Sequence, residues 1–328
     1  MNNVAGRLEK ETQFYEKMKE KSKGMPKIIS EYCTSMRANR KSYTTVGVYI
    51  NNVLHFARFV TDGKLTEDFY KNITASDVEN YMISLETRET LDGIKRTGDD
   101  ILQSRWSSLN TFFDWCVQRG HIDKNPMGVV SRPKNNTEHK VTYLTKVEIN
   151  RLFKAIDRNP NEVLGKRDKT IISLALATAL RVSALVNINV DDIDFENNVI
   201  KVIEKRQKVR EIPIGENIKN TLKDWIEFRE DVYRDINSPA LFFSKNYKRI
   251  SVDGVADMLE KYCDSAGIKR ITPHKLRASA ACALAKAGVP VKAISQQLGH
   301  SGIGVTMRYV DVFNEDIEKT KGVLDNLF

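Results

Sequence analysis

Apolar residues recur every three to four positions in several segments of the chain, and this spacing is typical of helices that bury one face. Three such segments lie in the N-terminal part, at 41–60, 74–86 and 99–119. We expect the last of these helices to begin with Asp99 as its N-cap and to end at Gly120. The apolar stripe of the first helix consists of Tyr43, Val46, Ile50, Val53, Ala57 and Val60. The pattern predicts an all-helical bundle over residues 23–130.

The periodic pattern stops at residues 131–143, which are polar and basic and include Pro133. This composition predicts an extended linker. Regular structure resumes sharply at Thr145, which forms a T-x-x-E capping box with Glu148, and Leu144 is placed to pack on Ile149. A second domain is therefore predicted over 144–328.

Within this second domain, residues 169–180 are apolar on nearly every side, which favours a helix in the core. Residues 197–214 alternate on both sides of the polar turn "EKRQ" and predict a β-hairpin. Helices are expected again from about residue 254. The predicted fold class is mainly α with a small β-sheet.

Composition and charge narrow the class of protein. The 328 residues carry 52 Lys and Arg against 43 Asp and Glu, a formal net charge of +9, which favours polyanionic partners. The four cysteines lie far apart, so neither disulfides nor a zinc site is expected. Residues 1–22 are predicted to form a charged helix or arm. They lack the apolar core of a signal peptide. Because no run of 18 apolar residues occurs in the sequence either, we expect a cytoplasmic protein without a membrane span.

A possible anion site begins at the segment "ITPHKLRAS". Thr272 suits an N-cap and Pro273 the first helical position, so His274 and Arg277 lie three residues apart on one face near the helix N terminus. Such a face can hold a phosphate, although a surface helix with an incidental basic pair explains these nine residues equally simply.

Arg181 is a second candidate, because it is expected to terminate the apolar helix 169–180. A guanidinium at the edge of a core needs an anion, which could be a phosphate or a carboxylate of the segment "VDDIDFE", unless its side chain reaches out to solvent. Lys205 at the hairpin tip suits a mobile proton donor but also an ordinary solvated turn. Clustered Asp191, Asp192 and Asp194 could hold a metal, and a capping and turn role is the simpler interpretation.

Taken in chain order, Arg181, Lys205, "PHKLR", "LGHS" and Tyr309 resemble the tyrosine recombinase family, the phage integrase-like site-specific recombinases. The resemblance covers the whole second domain, and the helical bundle is similar in type and position to the family's SAM-like core-binding domain. Some positions differ from the family pattern. Ala184 stands where the family usually has an acidic residue, Ala179 where it usually has glycine, and Ala278 where His is common. At the hairpin tip, Glu204-Lys205-Arg206 stands where the family often has Gly-Lys-Gly, so Lys208 is an alternative to Lys205 as the catalytic lysine.

The resemblance implies a catalytic set of Arg181, Lys205, His274, Arg277, His300 and Tyr309. The two arginines would bind the non-bridging phosphate oxygens, and His274 would accept a proton or bind phosphate. Lys205 would protonate the 5′ oxygen, and His300 would donate to the phosphate while packing against the nucleophile Tyr309. The product would be a 3′-phosphotyrosyl bond, formed without a cofactor, metal or ATP.

The partners implied by the resemblance are double-stranded DNA recombination sites, three further protomers of a homotetramer, and accessory DNA-bending or directionality proteins. The family includes integrases of mobile elements as well as chromosome and plasmid resolvases. Other functional classes stay open at this stage: a DNA-binding module that has lost catalysis, a metal-dependent nuclease using the aspartates, and a type IB topoisomerase.

The C-terminal residues predict an assembly device. Four apolar residues lie roughly on one helical face, although Gly322 weakens the helix: Ile317, Leu324, Leu327 and Phe328. This face could fold back on its own domain or dock on a neighbouring protomer, and the family resemblance favours the exchange.

Deleting residues 315–328 is therefore expected to leave DNA binding by a single protomer intact and to abolish cooperative assembly. A gel shift on DNA carrying two sites measures both effects. Unchanged higher-order complexes would contradict the exchange.

Overall fold

The computed structural model describes residues 24–90, 93–134, 141–203, 209–300 and 302–310. Contacts divide the chain into two units, Met1–Glu138 and His139–Phe328. The predicted arm 1–22, the hairpin lysines Lys205 and Lys208, and the tail helix after residue 310 lie outside the described residues.

The first unit is built on helices whose apolar faces surround an aromatic core. They are α1 (Lys27–Ala38), α2 (Tyr43–Val60), α3 (Ala75–Ser84) and α4 (Asp99–Gln118), followed by a 3-10 turn at Pro126–Val129. Tyr32 packs edge-on against Phe112 and tilted against Trp115, and Phe112 stacks on Trp115, with ring centroids 5.1–6.2 Å apart. Of the predicted stripe of α2, Val46, Ile50, Val53 and Ala57 are buried in this core, whereas Tyr43 and Val60 are only partly buried.

A two-stranded antiparallel ribbon corrects the expectation of an all-helical first domain. Strands β1 (Thr87–Thr90) and β2 (Gly93–Arg96) pair with Thr87 opposite Arg96. An Asp-Gly pair is a hairpin signal that helical periodicity does not register, and Gly93 has a φ of 104° that favours glycine. The following helix starts one residue earlier than predicted: Gly98 takes the extended N-cap position and Asp99 is the first helical residue.

The second unit packs helices around a three-stranded antiparallel sheet of order β3-β4-β5. Ile200 faces Ile212 across the sheet and both are buried. The predicted hairpin strands are confirmed, whereas β3 was not predicted. The elements are α5 (Lys146–Asp157), α6 (Glu162–Thr178), α7 (Val182–Leu185), β3 (Ile193–Asp194), β4 (Val199–Ile203), β5 (Val209–Pro213), α8 (Glu216–Val232), α9 (Val252–Ala266), α10 (Pro273–Lys286), α11 (Val291–Leu298) and α12 (Gly304–Val310).

Local signals set several of these boundaries. Thr145 accepts from the Glu148 backbone N–H, and the Glu148 carboxylate accepts from the Thr145 backbone N–H at 2.8 Å, so the predicted capping box is confirmed. The predicted fold class, mainly α with a small sheet, is confirmed as well. In the part of the chain that the structure describes, no helix is long and apolar enough to cross a membrane.

The aspartates of "VDDIDFE" cap and turn the chain. Asp192 accepts from the Asn189 backbone N–H at 2.8 Å, and Asp194 accepts from the backbone N–H groups of Glu196 and Asn197. Across the described ranges, no cluster of three or more His, Cys, Asp or Glu side chains could hold a metal ion. The hydrogen bonds of Asp192 and Asp194 agree with the capping and turn interpretation of this segment.

A buried ionic network joins α6 to α9. The Arg167 Nε donates to Asp168 Oδ1 at 2.7 Å, and its Nη1 donates to the Phe243 carbonyl at 2.8 Å. The Tyr262 hydroxyl donates to the other carboxylate oxygen at 2.9 Å. Both charged side chains are buried, since Arg167 is 6% exposed and Asp168 is 5% exposed. Removing one partner would leave the other charge buried and uncompensated.

Asp168→Asn is therefore expected to lower the free energy of unfolding of the second unit by about 3–5 kcal/mol. The control is Asp157→Asn, which breaks an ion pair with Lys169 whose side chains are about half exposed, and should cost under about 1 kcal/mol. Urea denaturation measures the free energy of unfolding of each variant. Amide hydrogen exchange within Glu162–Thr178 shows whether the loss of stability lies in the second unit. Equal effects of the two substitutions would show that burial of the network does not matter.

Candidate active site

The N-terminal turn of α10 places His274 and Arg277 on one side of the helix. Pro273 is the first helical residue, as predicted. Thr272 occupies the N-cap position with extended backbone, but its hydroxyl makes no capping hydrogen bond, in contrast to the predicted role. His274 is exposed, whereas Arg277 is only 2% exposed, so the arginine extends into the protein.

Arg181 lies beyond the apolar helix rather than at its last position. Helix α6 ends at Thr178, and Ala179 takes the left-handed conformation with φ 52° and ψ 28°. Left-handed backbone costs a residue with a Cβ about 1 kcal/mol relative to glycine, which explains why the family pattern has glycine here. Arg181 then takes the N-cap position of α7, with an exposed side chain. The sequence-based placement of Arg181 as the end of the helix is wrong by three residues.

The carboxyl end of α11 is the point where three arginines meet. Four successive carbonyl oxygens there, from Gln296 to Gly299, accept hydrogen bonds from guanidinium groups. Arg210 Nη1 donates to the Gln296 and Gln297 carbonyls at 2.7 and 3.0 Å. Arg277 Nη2 donates to the Leu298 carbonyl, and Arg181 Nη2 donates to the Gly299 carbonyl at 3.2 Å.

These contacts follow from the electrostatics of a helix end. The last carbonyls of a helix have no partner within the helix, and the aligned peptide dipoles make that end negative. Gly299, with φ 61°, ends α11 in the left-handed conformation and leaves these carbonyls accessible. Arg277 also donates through Nη1 to the Ala179 carbonyl at 3.0 Å, which ties the ends of α6 and α11 together. Hydrogen bonds to these carbonyls thus help to position the guanidinium groups.

Tyr309 is buried beside this arginine cluster. It lies on α12, is 4% exposed, and belongs to a small apolar cluster with Cys282, Ile294 and Leu298. Burial raises the pKa of the Tyr309 phenol, and the positive charges of Arg277 and Arg308 act in the opposite direction. The phenol is therefore protonated at neutral pH and needs a proton acceptor before it can act as a nucleophile.

His300 packs next to Tyr309. Its ring is 6.4 Å from the Tyr309 ring, centroid to centroid, at an interplanar angle of 21°. Its Nδ1 is 2.8 Å from the Thr306 hydroxyl oxygen. Burial first, and then the charges of Arg277 and Arg181, lower the pKa of His300 to about 4. At neutral pH this imidazole is uncharged, so it can act as a neutral hydrogen-bond donor or acceptor.

His274 experiences the same positive field. Loss of hydration, followed by the charges of Arg277, Lys275 and Arg181, lowers the pKa of His274. A neutral imidazole is the form that can accept a proton. Five of the six predicted residues are thus linked by contacts or by electrostatic interaction: Arg181, His274, Arg277, His300 and Tyr309. Lys205 and its alternative Lys208 lie outside the described residues.

The structure adds three residues to the site that the sequence-based reasoning missed. Arg210 holds the end of α11, Gln297 donates through Nε2 to the Thr178 carbonyl at 3.0 Å, and Thr306 contacts His300. Arg210 and Gln297 carry no local signal, because their acceptors are distant in sequence. Thr306 has a weak signal, since a threonine three residues before the tyrosine lies on the same face of a helix.

The arrangement is suited to chemistry on a phosphoryl group. Guanidinium donors and neutral imidazoles supply the charge and the hydrogen bonds that a tetrahedral oxyanion needs. A phenol held next to that position is a nucleophile that can form a covalent phosphotyrosine.

Comparisons with known proteins agree with the chemistry that the geometry of the site suggests. The model of the phage integrase family matches residues 142–316, more than half of the chain. A tyrosine recombinase XerC of Caldanaerobacter subterraneus subsp. tengcongensis is 31% identical over 328 residues, covering 94% of this chain and 88% of the relative. A tyrosine recombinase XerC of Roseiflexus castenholzii is 28% identical over 277 residues, covering 84% and 85%.

Solved structures share the fold at lower identity. The XerH site-specific recombinase bound to palindromic difH substrate, in a post-cleavage complex, has a TM-score of 0.69 at 16% identity, with 90% of this chain and 84% of that chain covered. The Tn1549 transposon integrase in complex with circular intermediate DNA has a TM-score of 0.66 at 23% identity, with coverages of 87% and 95%. The family model and the 31% identical relative confirm the resemblance seen in the sequence: the chain belongs to the phage integrase family of tyrosine recombinases.

Proposed function

We propose that the protein cleaves and rejoins DNA at specific sites through a covalent 3′-phosphotyrosyl intermediate on Tyr309. The observation that carries this proposal is the burial of the Tyr309 phenol beside guanidinium groups that are anchored on the end of α11. The names of its curated relatives, tyrosine recombinases XerC and XerD, support the same reaction.

In the first step the Tyr309 oxygen attacks a backbone phosphorus. A tyrosyl O–P bond forms, the P–O5′ bond breaks, and the phosphate keeps its charge. The phenolic proton passes to His274, whose neutral form can accept it. Lys205 gives a proton to the departing 5′ oxygen, because an alkoxide is a poor leaving group. The step needs neither metal nor ATP, since the phosphotyrosyl bond stores the energy for rejoining.

Arg181, Arg277 and His300 stabilise the charge that builds up on the non-bridging oxygens. Donors that are already fixed in place lower the barrier most, because they need not reorganise during the reaction. Burial of Arg277 strengthens its interaction with an anion, since little water screens it. Attack by the free 5′ hydroxyl of a partner duplex reverses the step and completes strand transfer.

The remaining parts of the proposal concern assembly. The bundle of the first unit acts as the core-binding domain, residues 144–328 form the catalytic domain, and 131–143 link them. Strand exchange proceeds through a Holliday junction in a homotetramer whose protomers exchange C-terminal tails, with accessory DNA-bending or directionality proteins as further partners. The net charge of +9 suits a DNA ligand. We place the protein in the cytoplasm, serving the integration and excision of a mobile element or the resolution of chromosomes or plasmids.

Tyr309→Phe is expected to abolish the covalent protein–DNA adduct that the wild-type protein forms with nicked target DNA in the presence of EDTA. The substitution removes only the attacking oxygen and keeps the buried ring. Denaturing gel electrophoresis of the reaction detects the adduct.

The matched control is Tyr247→Phe, the same chemical change at a tyrosine that is 64% exposed, which should leave the adduct unchanged. An adduct formed by Tyr309→Phe would assign the nucleophile to another residue. An adduct that requires Mg²⁺ would instead indicate metal-dependent chemistry.

We expect the protein to take up protons when it binds DNA. The uptake should increase as the pH falls from about 7 to about 5.5, which is near the range in which histidine ordinarily titrates. Burial and, after it, the positive charges of Arg277 and Arg181 lower the pKa of His300 to about 4, and a bound phosphate offsets the part due to these charges, so the pKa rises in the complex. The complex then binds more protons than the free protein, and affinity rises as the pH falls. Calorimetry in buffers of different ionisation enthalpy measures the uptake.

His300→Asn should reduce this proton uptake while the salt dependence of binding stays similar. Uptake that does not change with pH, or a release of protons, would contradict the position of His300 beside the phosphate.

A further inference from the structure

The hydroxyl of Thr306 makes a different hydrogen bond from those of other buried threonines in the second unit. Thr170 and Thr178 donate to the carbonyls of Lys166 and Leu174, four residues earlier in α6, at 2.9 and 2.6 Å. Thr306 is 0% exposed, and its oxygen is 2.8 Å from Nδ1 of His300. Because α12 begins at Gly304, no helical residue stands four positions before Thr306.

Burial decides which of the two groups donates. If Nδ1 carried the proton, the Thr306 oxygen would accept it, and the buried hydroxyl proton would need another acceptor. Among the described residues, the hydrogen bond recorded for this hydroxyl is the one to His300. A buried donor without an acceptor loses its hydration without compensation. The favourable arrangement has Thr306 donating to an unprotonated Nδ1.

The donor role of Thr306 determines the tautomer of the imidazole. A neutral imidazole carries one proton, so an Nδ1 that accepts leaves the proton on Nε2. We propose that Thr306 is a positioning residue that holds His300 in the Nε2–H tautomer, so that Nε2–H donates to the phosphate of the DNA. This inference rests on the proposed function, because it names how one group of that site is prepared for the phosphate.

The tautomer matters because His300 is uncharged. A protonated imidazole would have donors on both nitrogens, and a neutral one in the other tautomer would direct a lone pair at the phosphate. The charged and titratable groups that act on His300 are Arg277, Arg181, His274 and Arg308, and all of them favour the neutral ring. One hydroxyl proton therefore decides whether His300 attracts or repels an anion.

The same contact links the histidine to the nucleophile. Thr306 and Tyr309 lie three residues apart on α12 and are both buried, so they share one face of the helix. Anchoring Nδ1 to Thr306 fixes the His300 ring relative to Tyr309, whose ring is nearly parallel to it.

The tautomer is measured directly by two-bond ¹H–¹⁵N correlation NMR on the full-length protein at neutral pH. The chain has only five histidines, and the spectrum of His300→Asn assigns the signal. We expect an unprotonated Nδ1 and a protonated Nε2 in the wild type and in Thr306→Ser, which keeps the hydroxyl. Thr306→Val, which has the same shape without the hydroxyl, should give the averaged shifts of a tautomer mixture.

Activity gives an independent readout. In Thr306→Val the single-turnover rate of adduct formation should fall about tenfold, while the Kd for DNA changes by less than about twofold, because one oriented donor acts mainly in the transition state. Thr306→Ser should recover the rate to within about twofold. Thr170→Val is the matched control, since it removes a buried hydroxyl of the same unit that bonds only to its own helix.

Two results would overturn the inference: a wild-type His300 protonated on Nδ1, or a Thr306→Val spectrum identical to the wild type. The wild-type spectrum decides the first even if the valine variant does not fold. A wild-type protein that forms no adduct would refute the proposed function and leave the tautomer result to stand by itself.

Discussion

The end of one short helix organises the candidate active site in the second unit of this recombinase. Carbonyl oxygens from Gln296 to Gly299 attract Arg181, Arg210 and Arg277, which come from three different elements. The attraction is the ordinary preference of a helix carboxyl terminus for cations, repeated three times in one place. It concentrates positive charge at the site, and it makes the positions of the guanidinium groups depend on the fold.

This charge has opposite effects on the groups around it. Burial and, after it, this charge lower the pKa values of His274 and His300, so both rings are neutral. The same charge partly offsets the burial that holds the proton on Tyr309. The phenol therefore stays protonated while the proton acceptors stay available. A phosphate entering the cluster would cancel part of the field and change these balances together, which couples binding of DNA to readiness for proton transfer.

The sequence predicts those parts of the site that depend on near neighbours. The Thr145–Glu148 capping box and Pro273 at the start of α10 are local signals, and both appear in the structure as predicted. The contact from Arg181 to Gly299 spans 118 positions, so no local pattern encodes it. Family resemblance supplied the candidate catalytic residues, but not the carbonyl groups that contact them. The ribbon β1–β2 was missed because the helical repeat on either side of it dominated the pattern.

Arg277 has consequences for how this chain can change over time. Its guanidinium bridges the carbonyls of Ala179 and Leu298, and lysine, with a single ammonium nitrogen on a flexible stem, would keep the charge but lose this fork. Selection for folding alone would then retain the arginine. A descendant that lost its tyrosine and survived as a DNA-binding regulator would still carry Arg277, and its presence in a distant homologue is poor evidence that the homologue cuts DNA.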